Sequence, residues 1–153
     1  MTRLSGKPGL REKLTRAELG VMARRLRNAN TTKLFGFELR VAGGGRATIG
    51  MRVRSHHIQL HNVVHGGILC ALADTTGAIA AYTTLPQGTH LATIELKINF
   101  LEPVAGGMVV ARARVLRRGR NFIVSDCDIF TPGKVLAAKA LMTFAIGATR
   151  PQS

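Results

Sequence analysis

From Gly66 to Leu85 the chain carries one charged side chain, Asp74, in a run opened by Gly66-Gly67 and closed by Pro86-Gln87-Gly88. The spacing predicts one long apolar helix from Gly66 to about Leu85, stopped by the proline. Ile68, Leu72, Thr76 and Ile79 share a face that should lie on a sheet. Asp74 has Cys70, Ala71, Gly77 and Ala78 three and four residues away, all of them small. The aspartate therefore sits on a slim face that another backbone or helix can approach. Acidic side chains are scarce, with eight Asp and Glu against 22 Lys and Arg, so this one calls for an explanation.

The rest of the chain is mostly strand-like. Leu34 to Val41 and Arg46 to Arg54 flank Ala42-Gly43-Gly44-Gly45 and read as a hairpin. Ser55, His56, His57, His61 and Asn62 make a polar loop that feeds the helix. Beyond it, Ala92, Ile94, Leu96, Ile98 and Phe100 alternate with Thr93, Glu95, Lys97 and Asn99, the pattern of a half-buried strand that ends at Pro103. Met108 to Leu116 and Phe122 to Phe130 flank a tip, Arg117-Arg118-Gly119-Arg120, and Val135 to Ile146 forms the last strand. At the amino terminus, residues 1–14 read as a loose arm. A basic helix follows, with Thr15 and Glu18 spaced as a capping box and Leu19, Met22, Ala23 and Leu26 at helical spacing. The order implies an α+β fold: an antiparallel sheet wrapped around one long central helix, with an extra basic amino-terminal helix. We divide the chain into the arm and helix, 1–33, a domain over 34–147, and a tail, 148–153.

At 153 residues the chain suits one domain with a self-sufficient core. Uninterrupted apolar stretches fall short of the roughly 18 residues that span a bilayer, and the basic start lacks the apolar segment of a secretory signal. The only cysteines, Cys70 and Cys127, fit small hydrophobes in a reducing cytoplasm better than a disulfide framework. A net charge of +14 implies an anionic partner: nucleic acid, acidic lipid or a phosphorylated small molecule. The charge concentrates in residues 1–33 and in Arg112, Arg114, Arg117, Arg118 and Arg120. Either block could instead be a solvated face that aids solubility, a reading that fits the arm better than the arginine block.

The first N–H groups of a helix have no internal partner and carry partial positive charge. Gly66 and Gly67 leave these donors unshielded, so the helix end can hold an oxyanion or polarise a carbonyl. The same glycines could instead serve only a tight turn and close packing, and Asp74 could be a solvated or capping residue. Gly66 and Asp74 are eight residues apart, which is about 12 Å along a helix. If both serve one reaction, the carboxylate must come from a second copy of the chain, in a two-fold dimer with two sites.

Four stretches carry a resemblance: His65-Gly66-Gly67; Leu72-Ala73-Asp74-Thr75; the strand from Ile94 through Glu102-Pro103; and Val115-Leu116-Arg117-Arg118-Gly119-Arg120. Over about residues 34–146 the chain resembles the hotdog-fold acyl-CoA thioesterases of the phenylacetic-acid-degradation (PaaI-like) type. The resemblance implies a dimer whose strands form one continuous sheet around two central helices, often paired again into a homotetramer. It further implies that Asp74 is the catalytic carboxylate, as nucleophile or as general base on water. Gly66 would polarise the thioester carbonyl, helped by Gly67, and Thr93 would assist near the carboxylate. His65 would orient the loop. Gln59 stands where the family usually has Asn, with Asn62 where glycine is common, which bears on how water is positioned. Arg117, Arg118 and Arg120 could pair with the phosphates of coenzyme A. Coenzyme A would be part of the substrate, and neither a metal nor an organic cofactor is implied.

Other readings are weaker. His57, His61 and His65 recur every fourth residue as metal ligands on a helix would, but Gly66-Gly67 breaks such a helix. A hotdog domain can also bind acyl-CoA without hydrolysing it, and act as a regulator. About 33 residues are too few for a helix-turn-helix and linker, and no aromatic side chains lie among the arm's charges, so contact with nucleic acid is disfavoured. A hydratase on this fold would need histidine five residues after the aspartate, where Ile79 stands.

Overall fold

The computed structural model describes residues 16–147. The arm over 1–14, the Thr15 to Glu18 capping contact and the tail, 148–153, lie outside what it describes. Helix α1 (Arg16–Asn28) buries Leu26 and packs Leu19 and Met22 on the core. A second short helix, α2 (Asn30–Phe35), follows at once. Sequence spacing assigns Leu34 to a strand, whereas the chain is still helical there. Gly36 ends the helix at φ 66°, and its N–H returns to Thr32 O at 2.8 Å. Only then does strand β1 (Phe37–Gly43) begin, paired with β2 (Arg46–Arg52). The turn between them places Gly44 and Gly45 at φ 56° and 74°, the left-handed pair that a tight hairpin demands.

Strand β2 stops at Arg52, two residues short of the expected Arg54, and Ser55–His57 forms a 3₁₀ turn. The central helix α3 (Gly66–Tyr82) also ends early, three residues before Leu85. Thr83 and Thr84 explain this: their hydroxyls donate to Ala80 O and Ala81 O and compete with continued helix. Strands β3 (Leu91–Phe100), β4 (Met108–Arg118), β5 (Phe122–Phe130) and β6 (Leu136–Ile146) complete one antiparallel sheet, in the order β1-β2-β4-β5-β6-β3. Strand β4 continues through Arg118 over an irregularity between Val115 and Arg117, so the hairpin tip is Gly119 to Asn121 rather than 117–120.

Helix α3 touches every strand of the sheet. Its expected face is the buried one, with Leu72 and Thr76 fully buried and Ile68 and Ile79 nearly so. Thr76 satisfies its hydroxyl internally on Leu72 O at 2.6 Å. Opposite lie Ile49, Met51, Val109, Ile123, Ile129, Met142 and Phe144, all fully buried. Fully burying a side chain of this size contributes about 1.5–3 kcal/mol, so this interface dominates stability.

Strand β3 lies at the sheet edge, where one side of its backbone faces no other described strand. Its register against β6 shifts between Thr93 and Glu95, leaving Ile94 in a bulge and 57% exposed. The bulge reverses the alternation. Strict period two puts Thr93 on the face of Glu95, Lys97 and Asn99, but the strand turns Thr93 toward α3, together with the core-packed Leu91, Leu96 and Ile98.

Candidate active site

The amino end of α3 is capped by His65, whose Nδ1 accepts from Gly67 N–H at 2.9 Å while its carbonyl accepts from Ile68 N–H at 3.0 Å. His65 N–H donates to His57 O at 2.8 Å, which ties the cap to the preceding 3₁₀ turn. The Gly67 N–H, expected to help Gly66, is thus held by the His65 ring. Gly66 N–H meets no acceptor among the described residues, so it is a donor free to bind an incoming oxygen. Glycine also leaves room for a neighbouring ring. A Cβ at residue 66 would stand 3.0 Å from Cζ of Phe100, whose ring lies against the helix end.

Beside Gly66 is a cavity of about 360 Å³ lined by Val63, Val64, Leu69, Phe100, Leu101, Glu102, Pro103 and Val104. It is held open by backbone contacts. Val64 N–H donates to Val104 O at 2.7 Å, and Leu101 and Glu102 N–H both reach Ala137 O. Sequence reasoning placed neither Phe100 nor Glu102 in the site. The signal was the tight sequence Phe100 to Pro103 at the end of β3, which reads simply as a strand stop.

Asp74 lies half-buried two turns into α3, and Thr93 Oγ1 donates to its Oδ1 at 2.7 Å. Sequence and structure agree in bringing these two residues together, across the bulge in β3. Asp74 remains about 12 Å from Gly66 along the helix, so a single chain does not put both on one carbonyl. Gln59 does not join either group. Its Oε1 accepts from His61 N–H at 3.0 Å within a tight loop that is closed by Gln59 N–H to Val63 O and Asn62 N–H to Gln59 O. Asn62 adopts φ 61°, a left-handed conformation that asparagine tolerates better than most residues.

Arg117, Arg118 and Arg120 are exposed. Their hairpin stands at the carboxyl end of α3, because Val115 N–H donates to Gly45 O and Gly45 N–H to Thr83 Oγ1. Within one chain they are thus at the opposite end of the helix from Gly66. The three histidines with metal-like spacing are placed differently from one another. His57 is fully buried with Nδ1 accepting from Arg54 N–H, His61 is exposed, and His65 caps α3. Burial, with the charges of His56 and Arg54, holds the His57 imidazole below its ordinary pKa.

Both cysteines are free thiols. Burial foremost, with Asp128 and Asp126 nearby, pushes the Cys127 thiol up to about 12, which makes it inert, and burial raises Cys70 as well. On the outer face of the sheet, Asp126 accepts from Arg114 at 3.0 and 3.1 Å and from Lys139 at 3.0 Å. Burial alone would raise the Asp126 carboxyl, but these two cations more than offset it and hold it below the usual range.

A half-buried carboxylate held by a hydroxyl, and a free helix-end N–H beside an apolar cavity, together make a set suited to acyl transfer to water. The comparisons agree with that class. A family model described as the thioesterase superfamily matches residues 61–138, just over half of the chain. A protein of Saccharolobus solfataricus named "Putative esterase" is 35% identical over 109 residues, covering 71% of this chain and 77% of its own. The solved structure of a thioesterase from Haemophilus influenzae matches with a TM-score of 0.82 at 28% identity, over 94% of this chain and 98% of that one. The PaaI protein of E. coli, from the phenylacetic acid degradation operon, shares the fold, with a TM-score of 0.78 at 24% identity over 88% of this chain and 98% of its own. The chain belongs to the thioesterase superfamily. Its fold is the hotdog fold, and its general chemistry is ester or thioester hydrolysis. No described helix is long and apolar enough to cross a membrane.

Proposed function

We propose that the chain hydrolyses an acyl-CoA or aryl-CoA thioester to the free acid and coenzyme A. The observation that carries this reading is the pairing of Asp74 with Thr93 on a face of α3 lined by small residues. Asp74 acts as nucleophile, or as general base on a water molecule, and Thr93 fixes which carboxylate oxygen stays free. Gly66 N–H receives the charge that develops on the thioester oxygen, a contribution of about 3–4 kcal/mol for one such donor. Because Gly66 and Asp74 are too far apart on one helix, each site takes Gly66 from one protomer and Asp74 from its partner.

A homodimer is therefore required, and a homotetramer is the fuller assembly we propose. The long exposed edge of β3 supports this, because a strand left open along its backbone invites pairing with a second copy. In such a dimer, the arginines at 117, 118 and 120 come to the site with the Asp74 half, where they can meet the phosphates of coenzyme A. His65 holds the loop and helix end, and Gln59 stiffens the loop before them. The reaction needs no metal or organic cofactor, and the setting is the cytoplasm, in keeping with two free thiols.

A positioned base contributes about 10² to 10⁴ in rate. Asp74→Asn keeps the side-chain shape and should lower kcat by that order while changing KM little, measured on a panel of aryl, short and long acyl-CoA thioesters. Near wild-type turnover in Asp74→Asn would remove the assignment. Tight binding of acyl-CoA without turnover by the wild type would favour the binding-protein reading instead.

A further inference from the structure

We propose that Glu102 sets acyl specificity: its negative charge, at the rim of the apolar cavity beside Gly66, turns away acyl groups that bear a carboxylate and admits neutral ones. This deepens the thioesterase reading and rests on it. Every other residue lining the cavity is apolar or glycine, so an acyl carboxylate would find no cation there among the described residues. It would instead meet the exposed Glu102 at the rim of an open groove, where two like charges a few ångström apart repel by about 1–4 kcal/mol. The backbone anchors Glu102 at this rim. Its N–H and that of Leu101 are both held by Ala137 O, Pro103 follows, and Phe100 is wedged against Gly66. The cavity, about 360 Å³, exceeds the about 150 Å³ that accommodates benzene, so an aryl group or a medium chain fits. In a chain with 22 basic and eight acidic side chains, the general surface attracts anions. An acid placed here works against that field at the one point where the acyl group enters.

The test compares hexanoyl-CoA with adipoyl-CoA, which has the same chain length and a terminal carboxylate, on the full-length protein. The wild type should favour hexanoyl-CoA in kcat/KM by about tenfold or more, a preference set by charge repulsion at short range. Glu102→Gln should shrink that preference by a similar factor, and Glu102→Lys should shrink it further or invert it. The exposed Glu38 on β1 serves as a control, and Glu38→Gln should keep the wild-type preference. A preference unchanged by both substitutions at residue 102 overturns the assignment while leaving the thioesterase reading intact. No turnover of any thioester overturns both.

Discussion

Asp74 and Thr93 meet because strand β3 breaks its own alternation. From periodicity alone Thr93 belongs with Glu95, Lys97 and Asn99 on the outer face. The likeness of the motif to a known family, and not the pattern of polar and apolar residues, identified it as a partner of Asp74. One extra residue in a strand leaves no reliable mark in a sequence, since Ile94 is as good a strand residue in a bulge as out of one. At the helix end, composition exposed the unshielded donors, but the division of labour between Gly66 and Gly67 depends on which way the His65 ring turns. The buried His57 carries a prediction at this scale. Its folded-state pKa lies below the ordinary value of about 6.5. Between the two values the unfolded chain binds more protons, so stability rises with pH. The His57 contribution should be intact above about pH 6.5 and decline as pH falls toward the folded-state value. Urea midpoints at pH 7.5 and 5.5 should differ, and His57→Gln, which can still accept from Arg54 N–H, should narrow the difference.

The long elements were legible and the short ones were not. Helix α3 and strands β3 to β6 announce themselves by composition, alternation and bounding proline or glycine residues. Helix α2 has only six residues, too few for a period to show, and Gly36 marks its end only once the chain is known to be helical before it. Gly77 shows what the elements demand of one another. A Cβ there would lie 2.7 Å from Cε and 2.9 Å from Sδ of Met142, and 3.2 Å from Cζ of Phe144, so α3 rests on β6 at a point with no room for a methyl group. Met142 can yield in part because its side chain is unbranched. Gly77→Ala should therefore destabilise the protein by about 1–3 kcal/mol through overpacking, less any gain from alanine's helix propensity. Chemical denaturation with an unchanged slope would show that the loss is one of stability and not of compactness.

As a whole, one molecule is half of the site proposed for it. One chain has a helix with a receptive amino end, a carboxylate two turns away and a sheet that stops at the open edge of β3. The 12 Å separation was evident from counting residues, whereas the cavity was not, because it forms where a strand end, a loop and a helix start converge from distant parts of the chain. Mixed dimers test this directly. Gly66→Pro deletes the N–H while suiting the first helical position, needs only the exposed Phe100 ring to give by a few tenths of an ångström, and follows His65, whose backbone at φ −61° and ψ 132° is already the one proline prefers in its predecessor. Asp74→Asn deletes the other half. Each variant alone should be nearly inactive toward acyl-CoA. When the two are co-expressed with different tags and the mixed dimer is isolated, one of its two sites has both intact groups, and about half the wild-type rate should return. Activity that stays at the level of the single variants would contradict a site shared between protomers.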